Sequence, residues 1–110
     1  MTNNCLTWTK LGELAGNGAS SKTITVPDVT KYSELLITVG PAVANQTRRI
    51  LGSTVVPKED YGATIGKDNN QGHHQAAYKT SHSAGFSILS KTSIKLYANN
   101  TSSLALLFAR

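Results

Sequence analysis

Six carboxylates are spread over 110 residues: Glu13, Asp28, Glu34, Glu59, Asp60 and Asp68. Hydrolysis by paired carboxylates needs two such groups held about 5–10 Å apart around the scissile bond. Glu59 or Asp60 with Asp68 would be the pair, but neighbouring acids in a polar segment are usually only solvated. Serine and histidine are plentiful, yet no G-x-S-x-G turn lifts a serine out of a sheet. Gly85-Phe-Ser-Ile-Leu89 lacks the second glycine and reads as a core strand. A zinc site wants three or four ligands at local spacing. His73, His74 and His82 lie near one another, but the single thiol, Cys5, is far away in sequence. They read as loop histidines, although a threefold assembly could bring one from each copy to an axis. The expectation is a chain with no catalytic residues, no cofactor and no metal.

Binding chemistry has more to work with. A long polar segment runs from Lys58 to His74, and long connections in small β domains are commonly functional or mobile. It contains what a sugar site uses: Tyr61 to stack on the apolar face of a ring, and Asp68, Asn69, Asn70 and His74 to hydrogen-bond hydroxyls. The same residue types fill any flexible loop. A glycan site and a plain surface loop therefore both stand as readings of this segment.

The scaffold beneath that segment is legible in the alternation of apolar and polar residues. With 39% apolar and 15% charged residues, and abundant Thr, Ser and Asn, the chain fits an ordered all-β protein better than a disordered one. Residues 1–110 are expected to form one domain, long enough to bury a core without staples. One cysteine excludes an intramolecular disulfide. The net charge of +5 comes from scattered lysines, and Arg48-Arg49 would point to opposite faces of a strand. Nucleic acid, whose phosphates call for basic residues clustered on one face, is not the expected partner. No stretch approaches the ~20 apolar residues of a membrane span, and Met1-Thr-Asn-Asn4 lacks the features of a signal peptide. No membrane insertion is expected.

Period-two alternation and turn residues predict about eight short strands in an antiparallel β-sandwich of jelly-roll type. They fall near Leu6 to Leu11, broken by Gly12, Gly16, Asn17 and Gly18; Thr23 to Val26; Tyr32 to Val39; Arg48 to Val56; His74 to Thr80; Gly85 to Leu89; Thr92 to Ala98; and Ser103 to Arg110. Ser90-Lys91 should close one hairpin and Asn99-Asn100 another, leading into the last strand. That last strand is apolar on both faces. Leu104, Leu106 and Phe108 share one side and Ala105, Leu107 and Ala109 the other, so both need a cover. One cover is the domain's own core, and the second is another sheet layer or a neighbouring copy. On the second alternative Ala105, Leu107 and Ala109 form an oligomer interface.

Several of these stretches together resemble a known family. Trp8-Thr-Lys-Leu-Gly12, Thr23-Ile-Thr-Val-Pro27, Tyr32-Ser-Glu-Leu-Leu-Ile-Thr-Val39 and Ser90-Lys-Thr-Ser-Ile-Lys-Leu96, followed by a final apolar strand, look like the C-terminal β-sandwich modules of bacteriophage tail, fibre and baseplate proteins. The resemblance implies a virion module, trimeric, assembled in the bacterial cytoplasm and contacting other virion proteins, which engages host surface polysaccharide. It carries over no ligand residue, because Trp8, Leu35, Ile37, Ile94 and Leu96 map to core strands. Two rival functions share the same strand pattern: a purely architectural virion protein such as a capsid decoration, collar or connector, and a carbohydrate-binding domain of a larger host enzyme.

Overall fold

The computed structural model describes residues 7–16, 21–41, 50–68, 72–79, 82–99 and 103–110. Eight strands are present: β1 (Thr9–Ala15), β2 (Ser21–Thr25), β3 (Glu34–Pro41), β4 (Gly52–Pro57), β5 (His73–Tyr78), β6 (His82–Ser90), β7 (Ser93–Ala98) and β8 (Ser103–Ala109). They form two four-stranded sheets, β1-β8-β3-β4 and β2-β7-β6-β5, with antiparallel pairing throughout. The expected all-β sandwich is the architecture of this chain. The β1·β8 and β2·β7 pairs nest as in a jelly roll, whereas β3 and β4 form a hairpin within one sheet, as do β5 and β6 in the other.

The core lies between the inner faces. Leu14, Leu35, Ile37, Val39, Val56, Ala105, Leu107 and Ala109 come from the first sheet, and Ala76, Ala84, Phe86, Ile88, Ile94, Leu96 and Ala98 from the second. Each set recurs at every second residue of its strand, because successive side chains of a strand alternate faces. Small and large residues interlock: Ala105 and Ala109 flank Leu107 on one sheet, opposite a layer rich in Ile, Leu and Phe.

Several details differ from the sequence expectation. Gly12 does not end β1; the strand continues to Ala15 through a bulge between Lys10 and Gly12. The bulge carries Leu11 out of register and puts Gly12 on the core face, where a Cβ would lie 2.8 Å from Ile24 Cδ1. Trp8 precedes β1 and is half-buried rather than central to the core, with the Arg110 guanidinium 4.1 Å from its ring centroid. The segment at Asn99 is not a hairpin turn. It crosses from β7 in one sheet to β8 in the other, and Asn99 Oδ1 accepts from the Ser83 amide at 2.8 Å and from Ser103 Oγ at 2.9 Å.

The polar segment after β4 is ordered over its described part. It forms a short helix α1 (Lys58–Gly62) and then turns, with Pro57 at its N-cap. A 3-10 turn, Val29–Lys31, is capped by Asp28, whose carboxylate accepts from Thr30 N at 2.9 Å and Thr30 Oγ1 at 2.7 Å. Those two bonds, the hydroxyl's first, hold the Asp28 carboxyl below its ordinary range. Tyr61 from α1 and Val29 from the turn are both fully buried and join the core cluster at the same end of the sandwich.

Candidate functional site

The second sheet turns a polar face outward. In register across it stand Ser21 and Tyr97, Thr23 and Lys95, Thr25 and Ser93, and next to these Gly85 beside Tyr97 and Ser87 beside Lys95. The edge strand adds His73 beside Ser87 and Gln75 beside Gly85. Gly85 therefore separates Gln75 from Tyr97 with no side chain of its own, and a trough of about 200 Å³ opens there, lined by His73, Gln75, Ser83, Gly85, Tyr97 and Asn99.

One wall is aromatic. The His73 ring leans across Gly85 to meet Tyr97 edge-on, with centroids 4.8 Å apart and planes at 76°. An added Cβ at Gly85 would lie 2.7 Å from His73 Cε1 and Nε2 and 2.6 Å from the His74 carbonyl oxygen. The ring occupies this place only because the residue beneath it is glycine. Gln75, Ser83 and Asn99 add polar residues to the lining. Asn99 Oδ1 is already engaged twice, and among the described residues its amide N–H₂ is the part left for a ligand.

Charge sits beside the trough. The Tyr97 hydroxyl donates to Asp68, and Lys95 Nζ lies 3.4 Å from Asp68 Oδ2 and 5.3 Å from the Tyr97 ring centroid. The Tyr97 bond first, and then Lys95, hold the Asp68 carboxyl below its usual range. The Ser87 hydroxyl beneath adds the least, for it is close to Asp68 without hydrogen-bonding geometry to it and is buried without a hydrogen-bond partner among the described residues. Partial desolvation pushes the His73 imidazolium pKa down against the opposing pull of Asp68, favouring the neutral ring.

The residues singled out in sequence are dispersed. Tyr61 is corrected from stacking platform to core residue. It has no exposed surface, and its hydroxyl lies 2.7 Å from the Val29 carbonyl and 2.6 Å from the Tyr32 carbonyl. His74 lies on the face of β5 opposite His73, tilted against Phe86 at 5.1 Å between centroids. Its Nε2 is 2.9 Å from Thr64 Oγ1, which in turn donates to the Tyr61 carbonyl at 2.7 Å. A hydroxyl has one hydrogen, so His74 must be the Nε2–H tautomer donating to Thr64. Burial, and then the neighbouring His73, lower its pKa. Asp68 is exposed beside the trough; Asn69 and Asn70 lie outside the described residues. His82 faces Tyr78 at 6.3 Å between ring centroids, and among the described residues no three His, Cys, Asp or Glu side chains are grouped to hold a metal ion.

The proposed interface residues are corrected as well. Ala105, Leu107 and Ala109 have no exposed surface within a single chain, because they form the inner face of β8. The outward set is Leu104, Leu106 and Phe108, of which Leu104 and Phe108 are half-buried and Leu106 is 7% exposed. Phe108 stands in register with Leu36, and Leu36 with Val55, which is 47% exposed. No helix is long and apolar enough to cross a membrane among the described residues. Comparison with family models, with curated proteins and with solved structures returns no match.

The trough residues His73, Gln75, Ser83, Tyr97 and Asn99 were not singled out as ligand groups by sequence reasoning, apart from His73 as a candidate metal ligand. They come from three strands and one crossover. The available signal was the run of polar and aromatic residues at alternate positions of β5 and β7, with glycine at the matching position of β6.

Proposed function

We propose that this chain is a non-enzymatic module of a phage or prophage virion, of tail-fibre or baseplate type, assembled as a homotrimer in the bacterial cytoplasm and engaging host cell-surface glycan. The observation that carries the binding half of this reading is the trough on the outer face of the second sheet. It is shallow, lined by the His73–Tyr97 ring pair together with Gln75, Ser83 and Asn99, with no charged residue in its lining, and rests largely on strands. Saccharides present both ring C–H surface and many hydroxyls, and such a lining answers both. Single contacts of this kind are weak, and three copies on one particle raise the effective affinity through multivalency.

The contact between copies is assigned to the outward row Phe108, Leu36 and Val55, since the inward residues of β8 are used up by the chain's own core. The virion reading is supported by the strand motifs and their order. Immobilised bacterial surface polysaccharides probed with the purified chain test the function. Retention by one or more of them supports it; no retention by any, with the chain found by mass spectrometry in particles, supports the architectural rival. Light scattering tests the trimer, which requires three times the 11.7 kDa of one chain. Val55→Lys is expected to return the monomer, and a monomeric parent at micromolar concentration refutes the assignment.

A further inference from the structure

The lining of the trough narrows the class of sugar it would hold, an inference that rests on the glycan reading above and deepens it. At about 200 Å³ the space is smaller than the roughly 300–1,000 Å³ of clefts that take drug-sized ligands. It suits one ring rather than a chain of them.

We propose that the trough takes a single neutral pyranose ring of a surface glycan, its C–H face against the His73–Tyr97 wall and its hydroxyls on Gln75, Ser83 and Asn99. The wall is held in place from behind. Tyr97 is tied through its hydroxyl to Asp68, and His73 is seated over Gly85, so the aromatic surface is formed before a ligand arrives. The Asn99 carbonyl oxygen is spent on Ser83 N and Ser103 Oγ, which among the described residues leaves the amide as a donor to a sugar hydroxyl. Gln75 is exposed, and its side chain has no partner among the described residues. It supplies both a donor and an acceptor.

Neutrality follows from the charges nearby. Lys95, whose ammonium lies 5.3 Å from the Tyr97 ring centroid, is engaged with Asp68. An acidic sugar against this wall would bring its carboxylate near Asp68, which is bonded to Tyr97, and Lys95 already answers that charge. Partial desolvation lowers the His73 pKa, which disfavours its charged form.

The test is a titration of the ¹⁵N-labelled full chain with glucose, galactose and mannose, and in parallel with glucuronate and N-acetylneuraminate. At least one neutral hexose is expected to shift the amides of Gln75, Ser83, Gly85, Tyr97 and Asn99, with a dissociation constant on the order of millimolar for so small a ligand. Gln75→Ala, at an exposed side chain, should weaken binding about 2–10-fold, the worth of one hydrogen bond. Gly85→Ala should abolish it by displacing the His73 ring. Preferential binding of the acidic sugars overturns the neutral assignment, and absence of any hexose-induced shift in the trough overturns the site. Polysaccharide retention that survives Gln75→Ala undiminished refutes the trough while leaving the glycan reading standing, whereas no retention by the parent chain removes the glycan reading itself.

Discussion

Replacing Tyr61 with Phe removes one oxygen from the interior and nothing else. The hydroxyl sits between two carbonyls, of Val29 at 2.7 Å and of Tyr32 at 2.6 Å. The Val29 carbonyl keeps a second partner, the Tyr32 amide at 3.2 Å, but the Tyr32 carbonyl is served by Tyr61 alone among the described residues. A phenylalanine ring preserves the packing and leaves one polar group without its bond. Loss of one partner in such a site costs about 1–3 kcal/mol. For a chain of this size each 1 kcal/mol lowers the melting temperature by roughly 4–8 °C, and with a urea m-value of about 1–3 kcal/mol per molar the midpoint should fall by about 1 M. Urea titration followed by circular dichroism and by fluorescence of Trp8, the chain's one tryptophan, reads this directly. Saccharide binding should not change. A variant within about 0.5 kcal/mol of the parent, the range of ordinary surface substitutions, would refute the role of the hydroxyl; lost sugar binding with unchanged stability would restore Tyr61 as a ligand residue. The phenol carries a pH signature too: burial first, and the Asp28 charge second, raise its pKa, so the stability it contributes is present below about pH 10 and is lost as pH rises through the folded value.

Other outcomes follow from the same geometry. Leu107→Ala should cost about 2–5 kcal/mol in denaturant unfolding, because the side chain is fully buried in a packed layer; a cost below 1 kcal/mol would place Leu107 outside the core. At Gly52 an added Cβ would meet the Ala77 carbonyl oxygen at 2.4 Å, where the edge strands of the two sheets approach, so Gly52→Ala should lower stability by about 1–3 kcal/mol. A melting temperature equal to that of the parent would count against this contact. His73 and His74 both have lowered pKa values. The unfolded chain therefore takes up protons first, and stability should decline as pH falls below about 6.5 toward the folded values. A His73→Gln, His74→Gln double variant should flatten that decline, measured as melting temperature against pH, and an unchanged slope would rule these two rings out as its source.

Local pattern made much of this fold readable. Ile94, Leu96 and Ala98 alternate with polar or amphipathic residues and are buried as the alternation requires, and Leu35, Ile37 and Val39 are buried at the same spacing although Leu36 interrupts the polar set between them. The Ser90-Lys91 punctuation sits at the β6–β7 connection. Where the pattern misled, a tertiary partner intervened. Gly12 reads as a breaker but serves a bulge that lets Ile24 approach the strand. Tyr61 lies in a polar stretch whose composition says surface, and only the nearby Val29 and Tyr32 carbonyls give its hydroxyl a reason to turn inward. The trough was hidden for a different reason: Gln75, Gly85 and Tyr97 are neighbours only through strand register, and register is not written in any one strand.

Alternation along the chain is enough to specify short strands in two layers, the last of which, Ser103–Ala109, carries apolar side chains on both faces. It leaves open which face turns inward, since a two-residue period is symmetric between the two sets. Packing decided that: Ala105, Leu107 and Ala109 meet the Ile-, Leu- and Phe-rich layer of the opposite sheet, while Leu104, Leu106 and Phe108 face outward. Volume complementarity between sheets is a property of the assembled pair, and so is a trough made from three strands; neither exists until the chain has brought distant residues into register.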